Sequence, residues 1–145
     1  RAVRLSRLQP DGPPRNTKAL EALAGLLIQQ AVIERLAGRE ASAQSLEQRL
    51  DPVLAQSQAV DPDNAAVLTH LALRQHQQGQ TQAAEETFRR ALSLGSDNVA
   101  VICNWALFLD LTGRRREARA VLQQAAERFP ESPRPGELLA TMPVG

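Results

Sequence analysis

"AAVLTHLALRQHQQGQTQAAEETFRRALSLGSDN", residues 65–98, lies without a gap over "VAVICNWALFLDLTGRRREARAVLQQAAERFPES", residues 99–132. The shift is 34 residues. Identical columns are Ala66 with Ala100, Val67 with Val101, Ala72 with Ala106, Leu73 with Leu107, Gly79 with Gly113, Ala84 with Ala118, and Ala91 with Ala125. Leu71 with Trp105 and Phe88 with Leu122 keep their apolar character. The dipeptide Asp63-Asn64 recurs as Asp97-Asn98. A fixed period of this size is the signature of stacked structural units, each too small to bury its apolar face alone.

The content of one unit follows from physical chemistry. Asn64 and Asn98 stand where a first helix begins, and an Asn side chain there accepts a bond from a free backbone N–H, worth about 1 kcal/mol. Val67, Leu68, Leu71 and Ala72 then fall at helical spacing, as do Val101, Ile102, Trp105 and Ala106. Gly79 and Gly113 are expected to end that helix in the left-handed conformation, which costs Gly nothing sterically. Ala84, Phe88 and Ala91 mark the inner face of a second helix, matched by Ala118, Leu122 and Ala125, and Pro130 stops it. Small residues at Ala72 and Ala84, and at Ala106 and Ala118, let the two helices approach closely. The basic run at Arg114, Arg115 and Arg116 is thereby the start of a second helix, in the place of Gln80, Thr81 and Gln82.

Composition agrees with helices. The chain has 145 residues, 43% hydrophobic but only 3% aromatic, with no Tyr. Its apolar mass is Ala, Leu and Val, and no stretch alternates with period two for the length of a strand. The net charge of +1 gives no bulk field to draw in nucleic acid or anionic lipid. One cysteine, Cys103, excludes an internal disulfide. No apolar run reaches membrane-spanning length, and no signal peptide is visible. The compartment stays open between cytoplasm and periplasm. The chain begins with Arg1 rather than Met, which reads as a piece of something longer, and sixteen Arg against one Lys point to a GC-rich, bacterial gene.

A 34-residue helix–turn–helix unit with this spacing resembles the tetratricopeptide repeat (TPR), whose pattern is W-x2-L-G-x2-Y, then A-x3-F, then P. The first copy reads Leu68-x2-Leu71-Ala72-x2-Gln75, then Ala84-x3-Phe88. The second reads Ile102-x2-Trp105-Ala106-x2-Leu109, then Ala118-x3-Leu122, with Pro130 in the proline column. Both tyrosine columns are filled otherwise, Trp105 comes one turn late, and Ser96 replaces one proline. The resemblance implies an all-α fold, with antiparallel hairpins stacked as a right-handed α-solenoid.

Outside residues 65–132 the pattern is looser. Residues 1–15, rich in Pro and Arg, read as a linker. Residues 16–64 read as N-terminal helices and a degenerate unit in the same frame, with Leu50, Val53, Leu54 and Val60 inward and Gly38 in the column of Ala72. Residues 16–38 form one long helical pattern that is apolar on more than one face, which implies burial. Asp51-Pro52 either interrupts the following helix or starts a new one. Residues 133–145 are either a capping helix or the start of a cut-off unit.

The resemblance also implies a function. In TPR proteins the first helices line a concave groove that holds an extended peptide or a partner's helix. The matching positions here are Thr69, His70, Leu73, His76 and Gln77, then Cys103, Asn104, Leu107 and Asp110. Asn104 falls in a column where the family uses Asn to bond a bound peptide's backbone. No cation stands in the columns that clamp a partner's C-terminal carboxylate, so a neutral or hydrophobic segment is expected. His70 and His76 are six apart and point in different directions, so no metal site is expected. Cys103 reads as a small apolar filler and Trp105 as core. Arg114, Arg115, Arg116 and Arg119 read as a solvated outer face, since nucleic-acid readers add aromatics or a wider basic stripe.

No triad, paired catalytic carboxylates, phosphate loop or metal cluster is legible. The expectation is a non-enzymatic interaction scaffold in a bacterial assembly, with no cofactor. The alternative is the accessory repeat region of a larger enzyme or secretion protein. An exposed apolar stripe on residues 20–36 would instead need a partner, with self-association as one answer.

Overall fold

The computed structural model describes residues 17–142. The expected linker, residues 1–15, and residue 16 lie outside the described residues. Seven α-helices make up the described chain: α1 Thr17–Leu36, α2 Glu40–Val60, α3 Ala65–Gln77, α4 Thr81–Leu94, α5 Val99–Leu111, α6 Arg115–Arg128 and α7 Arg134–Ala140. The architecture is all-α and repetitive. The chain divides into two compact units, one ending at Pro62 and one starting at Asp63.

In the first unit α1 and α2 pack against each other as one hairpin. Leu20, Ala24, Leu27 and Ala31 are buried on α1. On α2 the buried residues are Ala43, Glu47, Leu50, Leu54 and Ser57. Three expectations need correction. The helix neither breaks nor restarts at Asp51-Pro52, because α2 runs unbroken through Pro52. Proline removes one ladder N–H, whose acceptor would be the carbonyl of exposed Gln48, and burial of Leu50 and Leu54 holds both halves in one line. Val60 is exposed rather than inward. Finally, α1 is not buried all round. Leu23, Leu26, Val32, Ile33 and Leu36 are exposed, Leu26 by 63% and Leu36 by 83%.

The frame of the first unit is also corrected. Gly38 does not occupy the column of Ala72. It is a turn glycine, with φ +82° beside +85° at Gly79 and +83° at Gly113. All three turns make the same bonds. Gly38 N–H donates to Arg35 O at 3.0 Å and Arg39 N–H to Glu34 O at 2.9 Å. Gly79 to His76 O and Gln80 to Gln75 O repeat this at 3.0 and 2.9 Å, and Gly113 to Asp110 O and Arg114 to Leu109 O at 3.1 and 2.7 Å. These nested bonds satisfy carbonyls that a helix end leaves open. Around each glycine stand two buried alanines at fixed offsets: Ala31 and Ala43, Ala72 and Ala84, Ala106 and Ala118. The spacing Ala-x6-Gly-x4-Ala therefore occurs three times. The first hairpin falls out of the 34-residue frame because its helices are longer, 20 and 21 residues against 13 and 14 in α3 and α4.

In the second unit α3 pairs with α4 and α5 with α6, and α3 lies beside α5. The caps form as expected. Asn64 Oδ1 accepts from Val67 N–H at 3.1 Å, and Asn98 Oδ1 from Ala100 N–H at 3.0 Å. The recurring aspartates tie the same loops to second helices: Asp63 pairs with Arg90 at 2.8 Å, and Asp97 with Arg128. Ala72, Ala84, Phe88 and Phe108 form one buried cluster, with Trp105 and Leu73 against it. Cys103, Ala106, Leu109, Ala118, Leu122, Leu138 and Met142 form the next. Helix α7 thus covers the apolar side that α5 and α6 would otherwise leave open, and Arg119 donates to the carbonyls of Leu139 and Met142.

Candidate functional site

The residues implied to line a groove sit on α3 and α5, at spacings of three and four that put them on one side of each helix. The structure sorts them by burial and by partner. Thr69 and Cys103 are withdrawn from solvent, at 0% and 2% exposure, so neither presents a side chain to a ligand; this corrects the expectation for both. Thr69 is buried because it joins the two first helices. Its hydroxyl donates to Ala66 O at 2.8 Å and accepts from Asn104 Nδ2 at 3.0 Å. A buried hydroxyl with both capacities used carries no desolvation penalty. Burial pushes the Cys103 thiol up from its ordinary value, which keeps it protonated and unreactive.

Asn104 is therefore an internal bridge between α3 and α5 before it is anything else. His70 is half-buried. His76 Nδ1 lies 3.0 Å from Thr81 Oγ1, and its ring meets Phe108 edge-on with centroids 5.5 Å apart. Asp110 accepts from Arg115 Nε at 2.7 Å, and that pairing holds the Arg115 guanidinium above its ordinary pKa. Leu73 and Leu107 each rest one side on a core cluster and keep the other half-exposed. Gln77 is exposed and accepts from Arg74 at 3.3 Å.

Leu111 is the residue that sequence reasoning passed over. It is 62% exposed at the end of α5. It stands 34 residues after Gln77, so the repeat frame already placed it in the same column. With Leu107 one turn before it, and Leu73 and Gln77 at the matching places on α3, it completes a two-by-two set of neutral side chains on neighbouring first helices.

The arginine run is less solvated than its composition implied. Arg114 reaches Glu85 at 3.0 Å and Glu117 at 3.1 Å. Its guanidinium carbon lies 5.8 Å from the Trp105 ring centroid, and that of Arg89 lies 5.9 Å from the same ring. Trp105 in turn stacks on Phe108 at 5.8 Å. Arg114 and Arg119 are half-buried and bonded within the fold, Arg115 is exposed but paired with Asp110, and Arg116 is exposed. A cation at a helix N-terminus is unfavourable by the dipole alone; here carboxylates and a ring face offset it. Among the described residues no group of three His, Cys, Asp or Glu side chains could hold a metal ion, and no helix is long and apolar enough to cross a membrane.

The geometry agrees with a comparison to known families. A family profile described as tetratricopeptide repeat matches residues 75–142, from within α3 to the end of α7. No curated protein and no solved structure matches the chain. That family is typically non-catalytic, and its repeats generally mediate protein–protein interaction. Residues 75–142, just under half of the chain, are thus similar to the tetratricopeptide repeat family.

Proposed function

We propose that this protein is a non-enzymatic scaffold that holds an extended peptide or a partner's helix across α3 and α5. Residues 65–98 and 99–132 serve in this reading as two repeats, with α7 closing the stack. The observation that carries it is Leu111. A leucine exposed by 62% beside half-exposed Leu107, with Leu73 and Gln77 in the matching columns of the next helix, offers an apolar contact surface that the core does not use. The surroundings select the ligand's chemistry. No Lys or Arg stands in the columns of Thr69, His70, Leu73, His76 and Gln77 or their counterparts on α5, and Asp110 is neutralised by Arg115. A neutral, partly apolar segment fits such a surface better than a free carboxylate does.

A displayed random-peptide library panned against the pure chain tests this. Selected sequences are expected to be apolar and low in charge. Leu111→Glu and Gln77→Lys, both at exposed positions, should weaken their binding at least about tenfold, the 1.4 kcal/mol of one good apolar contact, with an unchanged circular dichroism melt. Binders that ignore both substitutions would move the contact off this face.

A further inference from the structure

The exposed face of α1 is organised. Ala19, Ala22, Leu26, Gln29, Ile33 and Leu36 follow one another at steps of three and four, the spacing of a coiled-coil seam, and all six are exposed. They lie diametrically opposite Leu20, Ala24, Leu27 and Ala31, which are buried. Leu23 and Val32 border the stripe, exposed by 41% and 49%. Between Glu21 and Glu34 the helix carries no charge. An uncharged seam this regular on an outer face marks an association site.

We propose that α1 pairs antiparallel with α1 of a second copy of this chain along that stripe. The stripe is complementary to itself in one antiparallel register. In it Ala19 faces Leu36 of the second copy and Ala22 faces Ile33, twice each by the two-fold axis. Small residues thus meet large ones toward both ends of the seam. Leu26 faces Gln29, and the two copies of Gln29 come within reach of each other beside the axis, where a polar pair fixes register. A parallel pairing would set Ala22 against Ala22 and leave a gap. The helix dipoles favour the same orientation, because antiparallel packing sets the N–H end of each α1 beside the carbonyl end of the other. A single helix pair about 30 Å long sits at the small end of interface sizes, so the dimer is concentration-dependent.

Sedimentation equilibrium on the full chain reads this directly. The wild-type mass is expected to rise from 15.8 kDa toward twice that as concentration increases through the micromolar range. Leu26→Glu with Ile33→Glu, at positions exposed by 63% and 47%, should stay monomeric throughout with unchanged helicity. A wild type that is monomeric at every concentration, as when residues 1–16 or an unlike partner cover the stripe, overturns the proposal. So does a dimer that survives the double substitution. Register is read in a Cys103→Ala background under oxidation. Ala22→Cys with Ile33→Cys should cross-link between chains, and Ala22→Cys alone should not; cross-linking by the single variant would overturn the antiparallel register.

Discussion

The two units use the same turn and fill it differently. Nine residues after each turn glycine comes a buried side chain of the second helix. In the second unit that position holds Phe88 and Leu122, both 0% exposed. In the first it holds Glu47, also buried, at 8%. Glu47 is tolerated because Arg35, from the last turn of α1, grips it with two bonds of 2.9 and 3.0 Å while also holding Glu40 at 2.9 Å. One scaffold therefore closes its hairpin either with apolar volume or with a fork of charged bonds. The first gains by removing surface from water; the second must offset the desolvation of both partners. The turn fixes where the side chain goes, and the side chain decides how much the crossing stabilises.

The sharpest way to break the comparison is at its apolar end. Phe88→Ala empties a cluster that also contains Phe108 and the edge of Trp105, and should cost about 3–5 kcal/mol, read as a lower midpoint in denaturant by Trp105 fluorescence. Next come the alanines that the hairpins share. Ala118→Leu and Ala43→Leu both overpack a crossing whose alanine is 0% exposed, and each should cost roughly 1–3 kcal/mol. A wild-type midpoint for Ala43→Leu would show that the first turn only looks like the others.

At the polar end the effects are smaller. Glu47→Ala should cost about 1–2 kcal/mol, because Arg35 is exposed enough for water to screen part of the loss. Glu47→Leu should recover most of that, since it installs the side chain that the second unit uses; the two thermal midpoints decide it. The smallest effect is in acid. The hydrogen bond from Arg89, helped by the charge of Arg114, holds the Glu85 carboxyl below its ordinary value of 4.5. Arg114 does the same to Glu117, and Arg35 to Glu40. A carboxyl whose folded pKa is depressed adds stability above its unfolded pKa and loses it as pH falls through the folded one. The melting midpoint should thus be level above about pH 5 and decline below it, and Glu85→Gln should remove part of that decline.

Much of the fold was legible before any coordinates. The 34-residue shift located α3 to α6, the asparagine caps of α3 and α5, and two turn glycines. The third turn is equally present in the sequence as Ala31-x6-Gly38-x4-Ala43, but the 34-residue frame puts Gly38 in the wrong column. A fixed period assumes equal helices, and longer helices shift the register while leaving the turn chemistry intact. The proposed binding surface was half legible. Column arithmetic nominated Leu73, Gln77 and Leu107 and by the same rule contains Leu111. It could not show that Thr69 bonds Asn104, a contact between residues 35 apart.

What the sequence by itself determined is everything set within one or two helical turns: helix ends, caps, the left-handed glycines and the inward alanines. These depend on backbone sterics and on side chains reaching neighbours three or four residues away. Tertiary structure alone decided which face of α1 stays open, that α2 continues through Pro52, and that Arg114 packs over the Trp105 ring. Each depends on an element brought alongside from elsewhere in the chain. Local pattern states what a helix can bury, and only the neighbour it meets settles what it does bury.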